Sequence, residues 1–176
     1  MPGEVNSNAG SEFDLRAGFY YARLELTLTL TLYMDLWNNE IVSHSLSSKR
    51  GDRMTYISGL ENLIELKKQH PEYQMILHSD QGSVYASKAF NELLPMYRIT
   101  RSMSRAGTPT DNAAMEAING WIKAELFMDL HVTGEKSVEN EIDDYIVFFN
   151  ELRPAYSLNY LTPRQYRESF AASQSV

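Results

Sequence analysis

Every second residue from Leu24 to Leu32 is leucine, and the residues between are Glu25, Thr27, Thr29 and Thr31. A strict period of two with β-branched threonine specifies an extended strand with one buried face. A helix would scatter those leucines around its axis, so this run commits the chain to a sheet. Asn38-Asn39 supplies a turn and Ile41 to Leu46 a returning strand, which together make a hairpin.

Beyond the hairpin the period changes. Met54, Ile57, Leu60, Leu63 and Ile64 fall on one helical face behind a capping Asp52, and His70-Pro71 ends that helix near Gln69. Gln74 to Leu77 reads as a short strand, Ser87 to Leu94 as a helix stopped by Pro95, and Tyr97 to Met103 as another strand. A loop through Gly107 and Pro109 leads to a helix from about Asp111, whose apolar stripe is Ala114, Ile118, Trp121 and Ile122. Val138, Ile142, Tyr145, Ile146 and Phe149 mark an amphipathic helix, and Thr162-Pro163 opens the last one. This order predicts a mixed α/β sheet with helices packed on its faces.

The 176 residues suit one domain with a proper core. Residues 1–12 are small, polar and aperiodic; they read as a disordered or vector-derived tail, with Gly10-Ser11-Glu12-Phe13 as a vector scar. The core is expected over 13–170, with a C-terminal tail at 171–176. There is no cysteine, which removes disulfides, thiolate metal sites and cysteine nucleophiles. No apolar run is long enough for a membrane span and no secretory signal is visible, so a cytoplasmic protein is expected.

A net charge of −7 argues against a partner made of phosphates, but the charge is uneven. Residues 135 to 151 hold six acids and one base and contribute −5, which reads as a solvated outer helix. Arg98, Arg101, Arg105 and Lys123 flank a different region, where the chemistry lies.

That region contains Asp80, just past an apolar strand, and Glu116, on the helix that starts near Asp111. Thirty-five residues, 81 to 115, lie between them. Carboxylates carried on two rigid elements suit a hard divalent cation and metal-assisted phosphoryl transfer. Asn112, Asn119, Gly120 and Lys123 fall on the Glu116 face of the helix. Gly120 lets a bulky partner approach, and Lys123 offers a point charge to a phosphate. The alternative is an ordinary solvated face, with Asp80 closing an Asx turn. His78 alternates with Asp80 and reads as structural.

Four stretches resemble the insertion-sequence transposases of the DDE type, which carry a retroviral-integrase-like core. Met75-Ile-Leu-His-Ser-Asp-Gln-Gly-Ser-Val-Tyr is similar to their second-carboxylate motif. The stretch from Ser102 to Glu116, continuing through Trp121-Ile-Lys-Ala-Glu-Leu, is similar to their third. Phe149-Asn-Glu-Leu-Arg-Pro-Ala-Tyr-Ser-Leu-Asn-Tyr-Leu-Thr-Pro resembles their C-terminal signature, and Tyr33-Met-Asp-Leu-Trp-Asn-Asn-Glu-Ile-Val-Ser their hairpin. The resemblance spans about Leu26 to Phe170.

It implies an RNase H-like fold, with a five-stranded mixed sheet flanked by helices. It also implies DNA cleavage and strand transfer on two Mg²⁺ or Mn²⁺ ions held by three acids. Asp80 and Glu116 match the second and third acids. Lys123, Arg105, Asn112 and Asn119 are the candidate DNA contacts. The first acid belongs to an Asp-hydrophobic-Thr motif on the first strand, and that motif is absent. Asp14 is the acid nearest the required distance, while Asp35 matches a structural hairpin position. The family's end-recognising helix-turn-helix region is also absent, so an isolated core with weak DNA affinity is expected, active as a homo-oligomer. Two alternatives stay open: a catalytically silent binding module with this fold, and an RNase H-like nuclease that cuts without joining.

Overall fold

The computed structural model describes residues 5–9, 13–16, 27–49, 51–72, 74–79, 85, 87–105, 113–126 and 137–173. The hairpin is present as β3 (Thr27–Asp35) and β4 (Glu40–Ser47), paired antiparallel from Thr29↔Ser47 to Asp35↔Glu40. Its turn is closed by Asn39 at φ 58°, a left-handed conformation that asparagine tolerates better than most residues.

Two N-terminal segments, β1 (Val5–Ala9) and β2 (Phe13–Arg16), also pair antiparallel with β3. Because β4 lies along one edge of β3 from Thr29 to Asp35, β1 and β2 must share the other edge. On its far side β1 runs parallel to β5 (Met75–Ser79), which runs parallel to β6 (Ile99–Met103). The sheet therefore has six strand segments where five were expected. The added segment comes from residues that composition assigns to a disordered tail. Polar and aperiodic as it is, Val5–Ala9 fills a gap between two open edges, and its backbone groups find ladder partners on both sides.

Helices cover both faces of the sheet. On one face Leu30, Leu32 and Met34 pack with Ile118 and Ile122 of α3 (Ala113–Ala124) and with Ile142, Tyr145 and Phe149 of α4 (Val138–Glu151). On the other, Tyr33 packs with Tyr56, Leu60, Leu63 and Ile64 of α1 (Met54–Gln69) and with Phe90 and Leu94 of α2 (Lys88–Met96). The last helix, α5 (Pro163–Ser173), extends past the expected core limit at residue 170.

Asp52, read from the sequence as a cap, accepts from the Met54 N–H at 3.0 Å. The structure adds two more caps, the Ser87 and Ser137 hydroxyls, which accept from the Phe90 and Asn140 N–H groups. Thr162 and Gln165 form a reciprocal capping box at 3.1 and 3.2 Å. Helix α2 runs one residue past Pro95 to Met96, and β6 begins at Ile99 rather than Tyr97 because Arg98 takes a φ of 56°.

The threonine face of β3 departs from expectation. Thr29 and Thr31 are as buried as Leu30 and Leu32, so the strand is enclosed on both faces. The hydroxyls are accommodated individually: Thr29 donates to the Lys49 carbonyl at 2.8 Å, and Thr31 shares a 2.8 Å hydrogen bond with Thr55. Tyr33 donates to the Tyr56 carbonyl at 2.7 Å, with its ring held against Gly59. A Cβ at Gly59 would come within 2.6 Å of Tyr33 Cε2. Gly59→Ala is therefore expected to lower stability by about 1–3 kcal/mol through overpacking. The measurement is urea unfolding, where the midpoint drops at unchanged slope; an unchanged midpoint would mean that the Tyr33 ring has room to yield.

Asp35, at the end of β3, is buried and accepts the Trp37 N–H at 2.9 Å. Burial raises its carboxyl to about 6 from an ordinary 3.8; the Trp37 hydrogen bond opposes this, Glu40 adds to it and Arg167 opposes it. Folding thus prefers the neutral acid. That contribution is complete below the unfolded value near 4 and is lost as pH rises through about 6. Asp35→Asn, which keeps the acceptor for Trp37, should raise stability at pH 7 by up to about 3 kcal/mol. It should do nothing near pH 3, and equal gains at both pH values would show that Asp35 does not titrate in this range.

Candidate active site

Strand β5 ends at Ser79, and Asp80, next in the sequence, lies outside the described residues. Its setting is defined by three parallel strands. Asn8 of β1, His78 of β5 and Ser102 of β6 share one rung, and the carboxyl ends of all three strands open on the same side. Polar groups that act on a ligand gather beyond such ends in α/β sheets.

His78 braces this end. One ring nitrogen, Nδ1, bonds the Ser102 hydroxyl at 2.9 Å and the other, Nε2, bonds the Ser104 hydroxyl at 3.1 Å. The Ser104 N–H also donates to the Ser79 carbonyl at 3.0 Å, which carries the β5–β6 contact one residue past β6. With both nitrogens used, His78 is a structural clasp, as its isolation in the sequence suggests.

After Ser104 and an exposed Arg105 the chain reaches α3. Glu116 lies in the first turn of α3, where the helix dipole favours a carboxylate. The buried stripe of α3 is centred on Ile118 and Ile122. Gly120, on the same helix, is exposed and has no atom within 4 Å of where a Cβ would stand. Asn119 and Lys123 belong to α3 by backbone, and Asn112 lies outside the described residues. The side chains of Glu116, Asn119 and Lys123 are likewise outside them.

Asp14 is placed by backbone register alone. It pairs with Thr29, whereas Asn8, on the His78 rung, pairs with Met34. Five residues of β3 separate those partners, about 17 Å along the strand. Among the described residues no group of three or more His, Cys, Asp or Glu is arranged to hold a metal, and Asp80 is not among them.

Two features escaped the sequence reading. Trp121, counted there in the packed stripe, is 56% exposed because it sits at the stripe's edge. Its ring has the Arg153 guanidinium 5.8 Å from its centroid. Arg153 in turn grips Glu125, just past α3, with Nε at 2.8 and 2.9 Å and Nη2 at 2.6 Å, and the Tyr145 hydroxyl donates to the same carboxylate at 2.9 Å. This network locks the end of α3 to α4, and no local pattern announces it because Glu125 and Arg153 are 28 residues apart.

Residues 97–163 match the family model described as an integrase core domain. The chain is 34% identical over 142 residues to a protein named as transposase InsK of insertion sequence element IS150 in Escherichia coli K12, covering 80% of this chain and 48% of that protein. It is 33% identical over 150 residues to the transposase of element IS904 from Lactococcus lactis, covering 85% and 58%. It thus spans roughly half the length of the curated relatives it matches. Among solved structures, the HTLV-2 integrase catalytic core domain in complex with magnesium, in a trimeric form, superposes with a TM-score of 0.67 at 18% identity, over 93% of this chain and 96% of that one. The architecture is that of the RNase H-like integrase cores. Motif, kinship and fold agree: the chain is similar over most of its length to insertion-element transposases and has the fold of an integrase catalytic core.

Proposed function

We propose that this chain is the catalytic core of a DNA transposase that cuts at element ends and joins the freed 3′ hydroxyl to another strand, with Mg²⁺ or Mn²⁺ as cofactor. The observation that supports the reading is the order of the elements: β5, which ends at Ser79, lies beside β6, and the next element after β6 is α3, which carries Glu116 in its first turn.

The donors fit a hard cation. Asp80 and Glu116 offer carboxylate oxygens, and His78, the nearest nitrogen donor, is already held by two serines. A bound ion pair would lower the pKa of water or a 3′ hydroxyl and stabilise the leaving oxygen. The protein's part is to hold the carboxylates: the His78 clasp fixes the end of β5, and the Glu125–Arg153 pair fixes the far end of α3. Along α3, Gly120 leaves space for a bulky strand beside Glu116. Lys123 and Arg105 are assigned to phosphates, and Asn112 and Asn119 to the groove. Handling two DNA ends together calls for a homo-oligomer, and no described helix is long and apolar enough to cross a membrane.

Asp14 completes the proposed triad as the one acid among the described residues of β1 and β2. The register that carries it about 17 Å beyond the His78 rung favours a second reading, a catalytically silent DNA-binding module. Strand transfer with Mn²⁺ separates the two. On the transposase reading Asp80→Asn and Glu116→Gln each lower joining by about 100-fold or more. Asp14→Asn does the same if Asp14 is the third ligand and nothing if it is not. Cleavage without joining would select a nuclease. A wild-type chain that binds DNA but neither cuts nor joins it defeats the catalytic proposal.

A further inference from the structure

Arg101 stands in β6 opposite Leu77 of β5, one residue before Ser102, which bonds His78. Alternation along the strand turns its side chain to the face opposite Ser102, the face covered by α2. There Nη1 donates to the side-chain carbonyl of Asn91, and Nη2 lies against Met103 Sδ. Met103 is the last residue of β6, so the guanidinium reaches along its own strand towards the carboxyl end. Asn91 is itself fixed, because its amide donates to the Ser87 and Tyr85 carbonyls at 2.7 and 3.1 Å. The cation is held in one orientation by groups that carry no charge.

Nothing around Arg101 balances that charge. Arg153, Arg164 and Arg167 each have a carboxylate oxygen at 3.0 Å or closer. Among the described residues no carboxylate lies within ion-pair distance of Arg101, and its Nε is buried without an acceptor. The thioether of Met103 is a weak acceptor at best. A half-buried guanidinium with no counter-charge is a costly arrangement unless an anion meets it. Met103 is 44% exposed at the open carboxyl ends of the strands, which gives an anion its way in.

We propose that Arg101 binds a backbone phosphate of DNA lying across the carboxyl ends of β5 and β6. The inference rests on the DNA reading above and adds to it a contact on the α2 face, the face opposite α3. A guanidinium matches a phosphate with paired N–H donors. Because no acid cancels it, the Arg101 charge counts in full towards DNA. An arginine already held by a carboxylate contributes little to such binding.

The test needs no catalysis and is run in EDTA. Fluorescence anisotropy follows binding of a fluorescein-labelled duplex by the full chain over a range of salt concentrations. Arg101→Gln is neutral but keeps an amide that can donate to Asn91, and urea unfolding without DNA checks that it folds. It is expected to weaken binding at low salt by roughly tenfold. It should also lower the slope of log K against log salt by about one. Arg101→Lys, which keeps the charge but not the fork, should retain the slope. Arg164→Gln removes a cation that Glu151 and Glu168 already hold, and should leave affinity and slope as they are. Equal slope losses with Arg101→Gln and Arg164→Gln overturn the inference, since overall charge would then explain both. A lowered unfolding midpoint with an unchanged slope overturns it too, and assigns Arg101 to holding β6 against α2. A wild-type chain that binds no duplex sinks the DNA reading itself, whereas wild-type binding with an unchanged slope in Arg101→Gln sinks only the Arg101 contact.

Discussion

Thr29 and Thr31 sit in a strand whose two faces are both closed off from water, so each hydroxyl must find its partner inside the protein. An unsatisfied buried hydroxyl costs about 1–3 kcal/mol, enough to matter in a domain of this size. The partners come from the segment that leads into α1: Lys49 accepts from Thr29, Thr55 pairs with Thr31, and Asp52 donates its N–H back to Thr29. Those bonds draw α1 across the threonine face, and the leucines on the opposite face receive α3 and α4. Strand β3 is thus the plane that divides the molecule into two cores. Every element bearing on the candidate site is positioned relative to it.

The polarity of the sheet follows from that plane. Antiparallel to β3, β1 runs in the direction that makes it parallel to β5 and β6, so three carboxyl ends open together at the end of β5 that precedes Asp80 in the sequence. Helix α3 lies over the leucine face with Ile118 and Ile122 inward. Two clasps keep this geometry from drifting. His78 ties β5 to the strand end that feeds α3, and the Glu125–Arg153–Tyr145 group ties α3 to α4. The outer edge of the sheet is closed in a similar way: Asn150 of α4 both donates to and accepts from the Ile41 backbone. The net charge of −7 is compatible with a DNA partner because Glu139, Asp143 and Asp144 point outward on α4, away from the leucine face.

Much of this was legible from residue order. The hairpin, the caps at Asp52 and Thr162, the inward stripe of α4 and that of α1 from Leu60 to Ile64 all rest on contacts within a few positions, whereas Met54, read into the α1 stripe, is exposed. The likeness of the Asp80 and Glu116 motifs to transposases was legible too. Three things were not. Val5–Ala9 has no strand pattern of its own and becomes one because β3 and β5 offer it edges. Trp121 falls within an apolar stripe by arithmetic, yet it stands 56% exposed while Ile118 and Ile122 are buried. Asp14 fits a sequence distance from Asp35, but a strand counts rungs, and the register sets Asp14 opposite Thr29.

The amino-acid sequence alone determined which segments are helix or strand wherever period, caps and turns agree, and it determined the likeness to insertion-element transposases, because motif spacing is carried in the chain itself. The tertiary structure decided which surfaces are inside. It enclosed the threonine face of β3, drew the N-terminal residues into the sheet and left Trp121 exposed. The reason is physical: periodicity and capping are set by neighbours a few residues away, whereas burial and strand pairing depend on partners tens of residues distant that only the folded chain brings into contact.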